Sequence, residues 1–451
     1  MDLKVRNRLL KNFSSGIYGQ VVTSVIQLLG VPIFLHAWGA ELYGEWLIVF
    51  AIPAYLSMTD LGFSQSAAND MTARAARGER SAALFVFQSL IAFVFTSLAC
   101  MLVLTSLLVF ALPLDTWIHP AKMSLAEVRW TLWLLSVAVL AQLPDGITHA
   151  GFRSCGEYAL HQGLHGTARF IQFVALWIVV LSGGRPVAAA AAFFLVRAIA
   201  TAAFTYLLLH RHRWLHYSVD KATRAELCHL LRPALANVAI PLAQVLNIQG
   251  MVLAVAAILG PLAVVTFSTL RTLTRLVLQL VFTVSHAAEP ELASAYGMGN
   301  YSLCRIIFVQ SLRAGLWLGL ISTAGLALFG DFVLAIWTHG KVAMNSLLFG
   351  WLLASAVAGI IWYGGLTALK AANKHLKAAS FYLVSSAATV ALGVILMTWS
   401  GNVAEAGLAL LLMDATMTAC TFRAASQLTG THTLQNLMES INPFTKNAAR
   451  Q

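Results

Sequence analysis

The segment FSSGIYGQVVTSVIQLLGVPIFLH, residues 13–36, contains no Asp, Glu, Lys or Arg. A run of this length makes about 36 Å of α-helix, enough to cross a hydrocarbon core of about 30 Å. Lipid offers the backbone no hydrogen-bond partner, so only helices or closed barrels cross it, and an apolar run this long reads as a helix. Outward from it, further runs of spanning length fall at 43–66, 82–112, 129–150, 162–182, 187–209, 230–257, 261–286, 304–329, 344–369, 376–398 and 403–424, twelve in all. The composition agrees. The 451 residues are 59% hydrophobic and 10% charged, with a mean hydropathy of +0.76, whereas soluble domains average roughly 45–50% and 25%.

The basic start MDLKVRNRLLKNF is followed by a full-length apolar run with no A-x-A cleavage site, and it reads as a membrane helix that stays attached. The five cysteines, Cys100, Cys155, Cys228, Cys304 and Cys420, are scattered and form no C-x-x-C pair, so neither a disulfide framework nor a zinc site is expected. One set of loops receives Lys4, Arg6, Arg8, Lys11, Arg74, Arg77, Arg80, Arg153, Arg211, Arg213, Lys221, Arg224, Arg232, Lys370, Lys374 and Lys377. The other set receives little beyond Lys122, Arg185 and Lys341. The positive-inside rule then places both termini in the cytoplasm, as an even number of spans requires.

Self-similarity occurs at half the chain length. HAWGAELYGEW near Gly39 corresponds to AILGPLAVVTF near Gly260, and the region of Gln88 to that of Gln310, at offsets of 221 and 222 residues. An even number of spans per repeat gives two halves of like orientation. The expected fold is all-α integral membrane, with twelve transmembrane helices in two six-helix lobes related by a pseudo-two-fold axis along the membrane normal. The lobes are 1–209 and 230–426, with a basic cytoplasmic linker at 210–229 and a cytoplasmic tail at 427–451.

One stretch breaks the apolar monotony. In LPDGITHAGFRSCGEYALHQGLHGTARF, residues 143–170, Asp145, His149, Arg153, Glu157, His161, His165 and Arg169 recur at every fourth position. Gly151, Gly156 and Gly163 argue against one unbroken helix, and a cytoplasmic turn is expected near Arg153–Glu157. A third metal ligand beside His161 and His165 is not evident, so no metal site is expected. Two readings of the rest stay open. Asp145, His149, His161, His165 and Arg169 form an intracellular vestibule for a passing phosphate or sugar, or they are a solvated hairpin with interhelix hydrogen bonds.

NFSSGIYGQVVTSVIQLLGVPIFLHAWGAELYGEW, with Asn12, Gln20, Pro32, Gly39, Tyr43, Gly44 and Trp46, followed by TDLGFSQSAANDM at 59–71, resembles the start of the polysaccharide transporter family. These are flippases for O-antigen and exopolysaccharide units, within the multidrug/oligosaccharidyl-lipid/polysaccharide (MOP) superfamily. The hairpin of spans 4 and 5 and FSTLRTLTRLVLQLVFTVSHAAEPELASAYG at 267–297 resemble the same family. The resemblance implies alternating access through a central cavity lined by spans 1, 2, 7 and 8. The cargo would be an undecaprenyl-pyrophosphate-linked oligosaccharide, moved from the cytoplasmic to the periplasmic leaflet of a bacterial inner membrane. Implied partners are that lipid-linked oligosaccharide, the bilayer, and a polysaccharide polymerase with its chain-length machinery. Neither nucleic acid nor a cofactor is implied.

Residue chemistry points the same way. Arg169, Arg197, Arg271, Arg275 and Arg313 fall inside spans, against the acids Asp60, Asp145 and Asp414. An arginine at mid-bilayer costs about 2.5–3.5 kcal/mol on insertion scales and normally faces a cavity or a partner. Guanidinium matches phosphate oxygens two at a time. Arg271 and Arg275, one turn apart, are the foremost candidates for contact with an anionic cargo; the alternatives are a carboxylate partner or snorkelling. Arg271 also resembles a cavity arginine of lipid II flippases by its place before Pro290, although those carry arginines in spans 1 and 2 where this chain has Gln20, Gln27, Asp60 and Gln65. Arg169 and Arg197 are further cargo candidates or partners within the first lobe. Asp60, Asp145 and Asp414 either bind a coupling ion or neutralise an arginine. Gln20, Gln27, Asn237, Gln244, Asn247 and Gln249 either meet sugars or join helices. Trp38, Trp46 and Trp337 are expected in the aromatic belt. No Gly-rich phosphate loop, catalytic constellation or nucleotide-binding domain is visible, so an enzyme is not expected. The competing readings are a multidrug-type exporter of the same fold and a membrane enzyme of polysaccharide assembly such as a polymerase.

Overall fold

A computed structural model describes residues 3–113, 120–372 and 374–428, with most side chains from Ser14 onward. The regular structure among them is all helical: α1 (Leu3–Ala51), α2 (Phe63–Ala76), α3 (Arg80–Ala111), α4 (Leu125–Leu140), α5 (Leu143–Ser154), α6 (Tyr158–Leu181), α7 (Pro186–Arg211), α8 (Arg224–Val245), α9 (Met251–Gly297), α10 (Tyr301–Thr338), α11 (Ser346–Ala371), α12 (Leu376–Ser400) and α13 (Ala404–Leu428). A 3-10 segment, Pro53–Asp60, precedes α2, and a π-helical segment, Leu246–Gly250, precedes α9. Ten stretches among the described residues are long and apolar enough to cross a membrane. Side chains such as Ile199 (68% exposed), Leu328 (78%) and Trp399 (93%) stand outward, which lipid favours and water does not. The chain has a multi-pass membrane fold.

Two of those stretches far exceed one crossing: Ser14–Ala75 at 62 residues and Val238–Gln279 at 42, or about 93 and 63 Å if straight. Neither is straight. Gly39 (φ 73, ψ 176) breaks α1 and Gly260 (φ 79, ψ −177) breaks α9. This region of backbone space is essentially open to glycine alone. The two glycines paired by sequence at half the chain length thus adopt one and the same rare conformation. Aromatic rings close the first break: Phe34 lies 5.1 Å from both Trp38 and Tyr43, and Trp38 lies 5.4 Å from Trp46. Trp46 is 2% exposed, so it belongs to the core and not to the expected lipid belt, and Trp38 Nε1 donates to Gly184 O at 2.9 Å.

Two expected helices prove to be composite. The run 43–66 contains the end of α1, the 3-10 segment beginning at Pro53, and the start of α2; the run 129–150 is divided between α4 and α5, with Pro144 in the first turn of α5. Proline lacks an N–H, so it suits a helix start and interrupts a helix interior. In the 143–170 stretch, Gly151 and Gly163 lie within helices, and only Gly156 (φ 78) makes the turn.

The chain divides into two compact units, Met1–Val245 and Leu246–Gln451. In the first, Phe63, Met71, Phe87, Leu90, Ile147, Phe152 and Leu208 form the core. In the second, Val281, Phe308, Leu312, Ile360 and Phe422 do so. Glycines allow close helix approach in both: a Cβ on Gly146 would lie 1.9 Å from Ser64 Oγ, and one on Gly365 3.0 Å from the Thr421 backbone. The basic stretch 210–229 lies within the first unit and is fastened to it. Gln88 of α3 accepts from Lys221 N (2.7 Å) and donates to His216 O (3.3 Å), Ser89 accepts from Thr223 N (3.0 Å), and Arg74 makes a two-pronged pair with Glu226 at 2.8 Å.

Replacing Gly39 or Gly260 with Ala should destabilise the protein by about 1–3 kcal/mol each. Gly19→Ala, inside α1 with no neighbouring atom within 4 Å of the new Cβ, should be neutral or stabilising. Thermal loss of monodispersity in detergent measures all three.

Candidate functional site

The four-residue row folds back on itself. Asp145, His149 and Arg153 lie on α5, and His161, His165 and Arg169 on α6. Asp145 and His165 are each ten residues from Cys155, and His149 and His161 each six. A hairpin turning there therefore brings the row's members face to face. His165 Nε2 lies 3.9 Å from Asp145 Oδ2, and the His149 and His161 rings are 5.4 Å apart between centroids. Glu157 stays at the turn, bonded to Arg211 and His212 at 3.1 and 3.2 Å.

A third helix completes the group. Arg197 of α7, 2% exposed, pairs through Nη2 with Asp145 Oδ2. Thr201 Oγ1 sits 3.1 Å from Asp145 Oδ1 and 3.0 Å from Ala141 O, its one proton shared between them. Arg169 Nη1 donates across to Thr23 Oγ1 of α1 at 3.2 Å, and the Tyr18 hydroxyl meets Thr167 Oγ1 at 3.0 Å. Among the described residues, no three His, Cys, Asp or Glu side chains come together as metal ligands.

The second unit has its own polar centre. Arg271 of α9, 9% exposed, reaches back to the π-helical segment. Nη1 donates to Asn247 O (3.1 Å) and Ile248 O (3.4 Å), Nη2 donates to Asn247 Oδ1, and the guanidinium carbon lies 5.4 Å from the centroid of the Phe267 ring. The wider i→i+5 turn disturbs the ordinary helix ladder, and Arg271 supplies donors to carbonyls at that point. Asn247 Nδ2 in turn lies 3.0 Å from Met413 Sδ. The neighbouring residue, Asp414, accepts from Ser355 Oγ and from Trp362 Nε1 at 2.8 Å. The hydrogen-bond partners of Arg271 are Asn247 and Ile248 and those of Asp414 are Ser355 and Trp362, while the two charges lie near enough to act on each other through space. Positive charge in this centre is therefore solvated by carbonyls and an amide, and negative charge by a hydroxyl and an indole.

The other candidates are dispersed. Asp60 is half-buried and accepts from the Ser64 amide at 3.2 Å and its hydroxyl at 2.7 Å, tying the 3-10 segment to α2. Arg275 is half-buried one turn beyond Arg271, and Gln20, Gln27 and Gln244 are half-buried on α1 and α8. The side chain of Asn237 lies outside the described residues. Five partners escaped sequence reading: Thr23, Thr148, Thr201, Ser355 and Trp362. So did Glu45, a buried carboxylate that accepts the backbone N–H groups of Ala121, Lys122 and Met123 at 2.6–2.8 Å.

No protein-family model matches the chain, and no curated protein matches its sequence. Solved structures do match its fold. A multidrug resistance MATE family transporter of the MOP superfamily, in its inward-facing conformation, is 13% identical with a TM-score of 0.72, covering 90% of this chain and 98% of that one. An outward-facing structure of such a transporter is 14% identical with a TM-score of 0.66, covering 94% and 97%. A MOP superfamily transporter from Pyrococcus furiosus, described with a binding pocket of reverse polarity, is 15% identical with a TM-score of 0.58, covering 94% and 95%. The chain thus has the fold of MOP superfamily transporters.

Arg197→Gln leaves the Asp145 carboxylate buried without its cation and should cost about 3–5 kcal/mol. The double variant with Asp145→Asn should recover a large part of that loss. Folded yield in fluorescence-detected size exclusion reads both.

Proposed function

We propose that this protein is a flippase that carries an undecaprenyl-pyrophosphate-linked oligosaccharide from the cytoplasmic to the periplasmic leaflet, for surface polysaccharide synthesis. On this reading it works by alternating access in a bacterial inner membrane. It has twelve spans in two six-helix lobes and both termini in the cytoplasm, the breaks at Gly39 and Gly260 being the turns that divide spans 1 from 2 and 7 from 8.

The observation that carries the reading is Arg271. It is buried and hydrogen-bonded to neutral acceptors. Carbonyl dipoles stabilise a guanidinium without cancelling its charge, and low-dielectric surroundings strengthen its pull on an anion. Arg275, one turn on, adds a second positive charge to the same helix face. A diphosphate headgroup is the cargo chemistry that suits a pair of arginines.

A second reading has its own support: the matched structures include multidrug resistance transporters, and Asp145 and Asp414 are buried acids of the kind a cationic cargo would seek. Asp145, however, is already neutralised by Arg197. Asp414, held by the neutral donors Ser355 and Trp362, keeps its charge, but it stands as one carboxylate against the two guanidinium groups of Arg271 and Arg275, which favours the anionic cargo.

Expression in a strain lacking its lipid-linked oligosaccharide flippase separates the two. Wild type should restore surface polysaccharide. Arg271→Ala should reduce it at least tenfold at equal protein level, with Arg271→Lys intermediate. Gain of resistance to cationic drugs without restored polysaccharide would overturn the flippase reading in favour of the exporter.

A further inference from the structure

The middle of α3 lines a cavity of about 440 Å³ in the first unit, within the roughly 300–1,000 Å³ of ligand sites. Phe93 and Met101 of α3 and Leu227 of α8 join it to the core, and the Phe93 ring is stacked 4.0 Å from Phe63. Leu61 and Cys100 line it and are exposed, so the cavity opens outward.

Leu61 supplies a second observation. Its backbone is left-handed (φ 46, ψ 27), a conformation that glycine adopts freely and a residue with a Cβ does not. Its side chain is nevertheless 40% exposed, so burial against protein does little to offset that strain. Strained residues gather at ligand clamps, and an apolar ligand in the cavity would cover this side chain.

The cavity lies at hydrocarbon depth. The 32 residues of α3 make about 48 Å of helix. With α3 centred in a core of about 30 Å, Ala92 to Met101 lie inside the hydrocarbon and Phe85 lies about 16 Å from the centre, at the boundary. Apolar cavities do not hold water. A lipid chain is what the surroundings supply to fill this one.

Basic side chains mark the same boundary. Lys221 Nζ stands 5.8 Å from the centroid of the Phe85 ring, and Phe85 shares a face of α3 with Phe93, two turns on. Gln88 and Ser89, one turn before the cavity, hold Lys221 N and Thr223 N at 2.7 and 3.0 Å. Arg224 is exposed and lies one turn before Leu227 on α8. Glu226 is paired with Arg74, and Asp220 accepts from Ser218 Oγ, so two cations here face one carboxylate.

We propose that the cavity and its basic mouth bind one anionic phospholipid, with an acyl chain along Phe93 to Met101 and the phosphate at Lys221 and Arg224. Basic pockets between membrane helices suit anionic headgroups. The lipid is a resident partner of the first unit, and the inference holds whichever cargo is carried. Its chain braces Leu61 at the end of the 3-10 segment, and its phosphate adds a further tie between α3 and the basic stretch 210–229.

Native mass spectrometry of the whole protein, titrated with phosphatidylglycerol or with phosphatidylcholine of the same acyl chains, reads the first lipid bound. A cation near the headgroup is worth about fivefold in affinity. Phosphatidylglycerol should therefore bind at least about fivefold tighter than phosphatidylcholine, and the double variant Lys221→Gln/Arg224→Gln should abolish the preference. Cys100→Trp and Ala92→Trp each fill the cavity and should weaken phosphatidylglycerol binding about tenfold or more. Leu328→Trp, exposed on the second unit, should leave it unchanged. Size exclusion shows which variants fold, and the exposed Lys221 and Arg224 keep the charge test available if a tryptophan variant does not. Equal affinity for the two phospholipids would overturn the site, as would phosphatidylglycerol binding untouched by a folded cavity-filling variant. Displacement of phosphatidylglycerol by a lower concentration of undecaprenyl phosphate would overturn the phospholipid as occupant and give the cavity to the cargo's lipid class.

Discussion

A charge inside a membrane keeps its ionised form only where protein atoms replace the water it gave up. The two units meet this demand with different chemistry. In the first, Asp145 takes Arg197 and Thr201, so opposite charges and a hydroxyl balance locally. In the second, Arg271 takes backbone carbonyls and an amide, while Asp414 takes a hydroxyl and an indole. An ion pair presents little net field to its surroundings; a charge held only by dipoles keeps its own, and in the second unit this holds for the Arg271 guanidinium and the Asp414 carboxylate alike.

The backbone serves these centres by departing from ideal helix where they need it. The π-helical turn at Leu246–Gly250 offers carbonyls to Arg271. The division of α4 from α5 releases Ala141 O, which takes part of the Thr201 proton. Pro144, just inside α5, makes that division inexpensive because its missing N–H falls where no helical partner exists. At Gly39 and Gly260 the departure is larger, and both halves solve it with the same residue in the same conformation.

Much of this was legible in the residues, for identifiable reasons. The membrane class follows from apolar runs, and the special status of Gly39 and Gly260 from their matching positions at half the chain length. The α5–α6 hairpin was visible as a four-residue row, because equal spacing keeps register on both arms of a turn. What could not be read was which partner each group chose. Thr23, Thr148, Thr201 and Ser355 look like any hydroxyl in an apolar helix, and most of those, such as Ser136 and Thr389, bond only to the carbonyl four residues back. Arg271 gave no hint of the π-helical turn it supports, since that turn has no sequence signature. Trp46 was placed at the lipid boundary because tryptophan usually sits there; the aromatic packing around Gly39 claimed it instead. Glu45 escaped notice because its partners are backbone amides, which every residue type supplies.

The pairing of Asp145 with Arg197 also sets a schedule for biosynthesis. The two are separated by 52 residues, with all of α6 between them. At about 5–20 residues per second of translation, the ribosome takes several seconds to supply the arginine after the aspartate has been made. Throughout that interval Arg197 is not there to receive Asp145, and a bare carboxylate at mid-bilayer costs about 2.5–3.5 kcal/mol on insertion scales. That cost is relieved when α7 brings Arg197 to the carboxylate, so the pairing favours insertion of α4 to α7 as a set over insertion one by one.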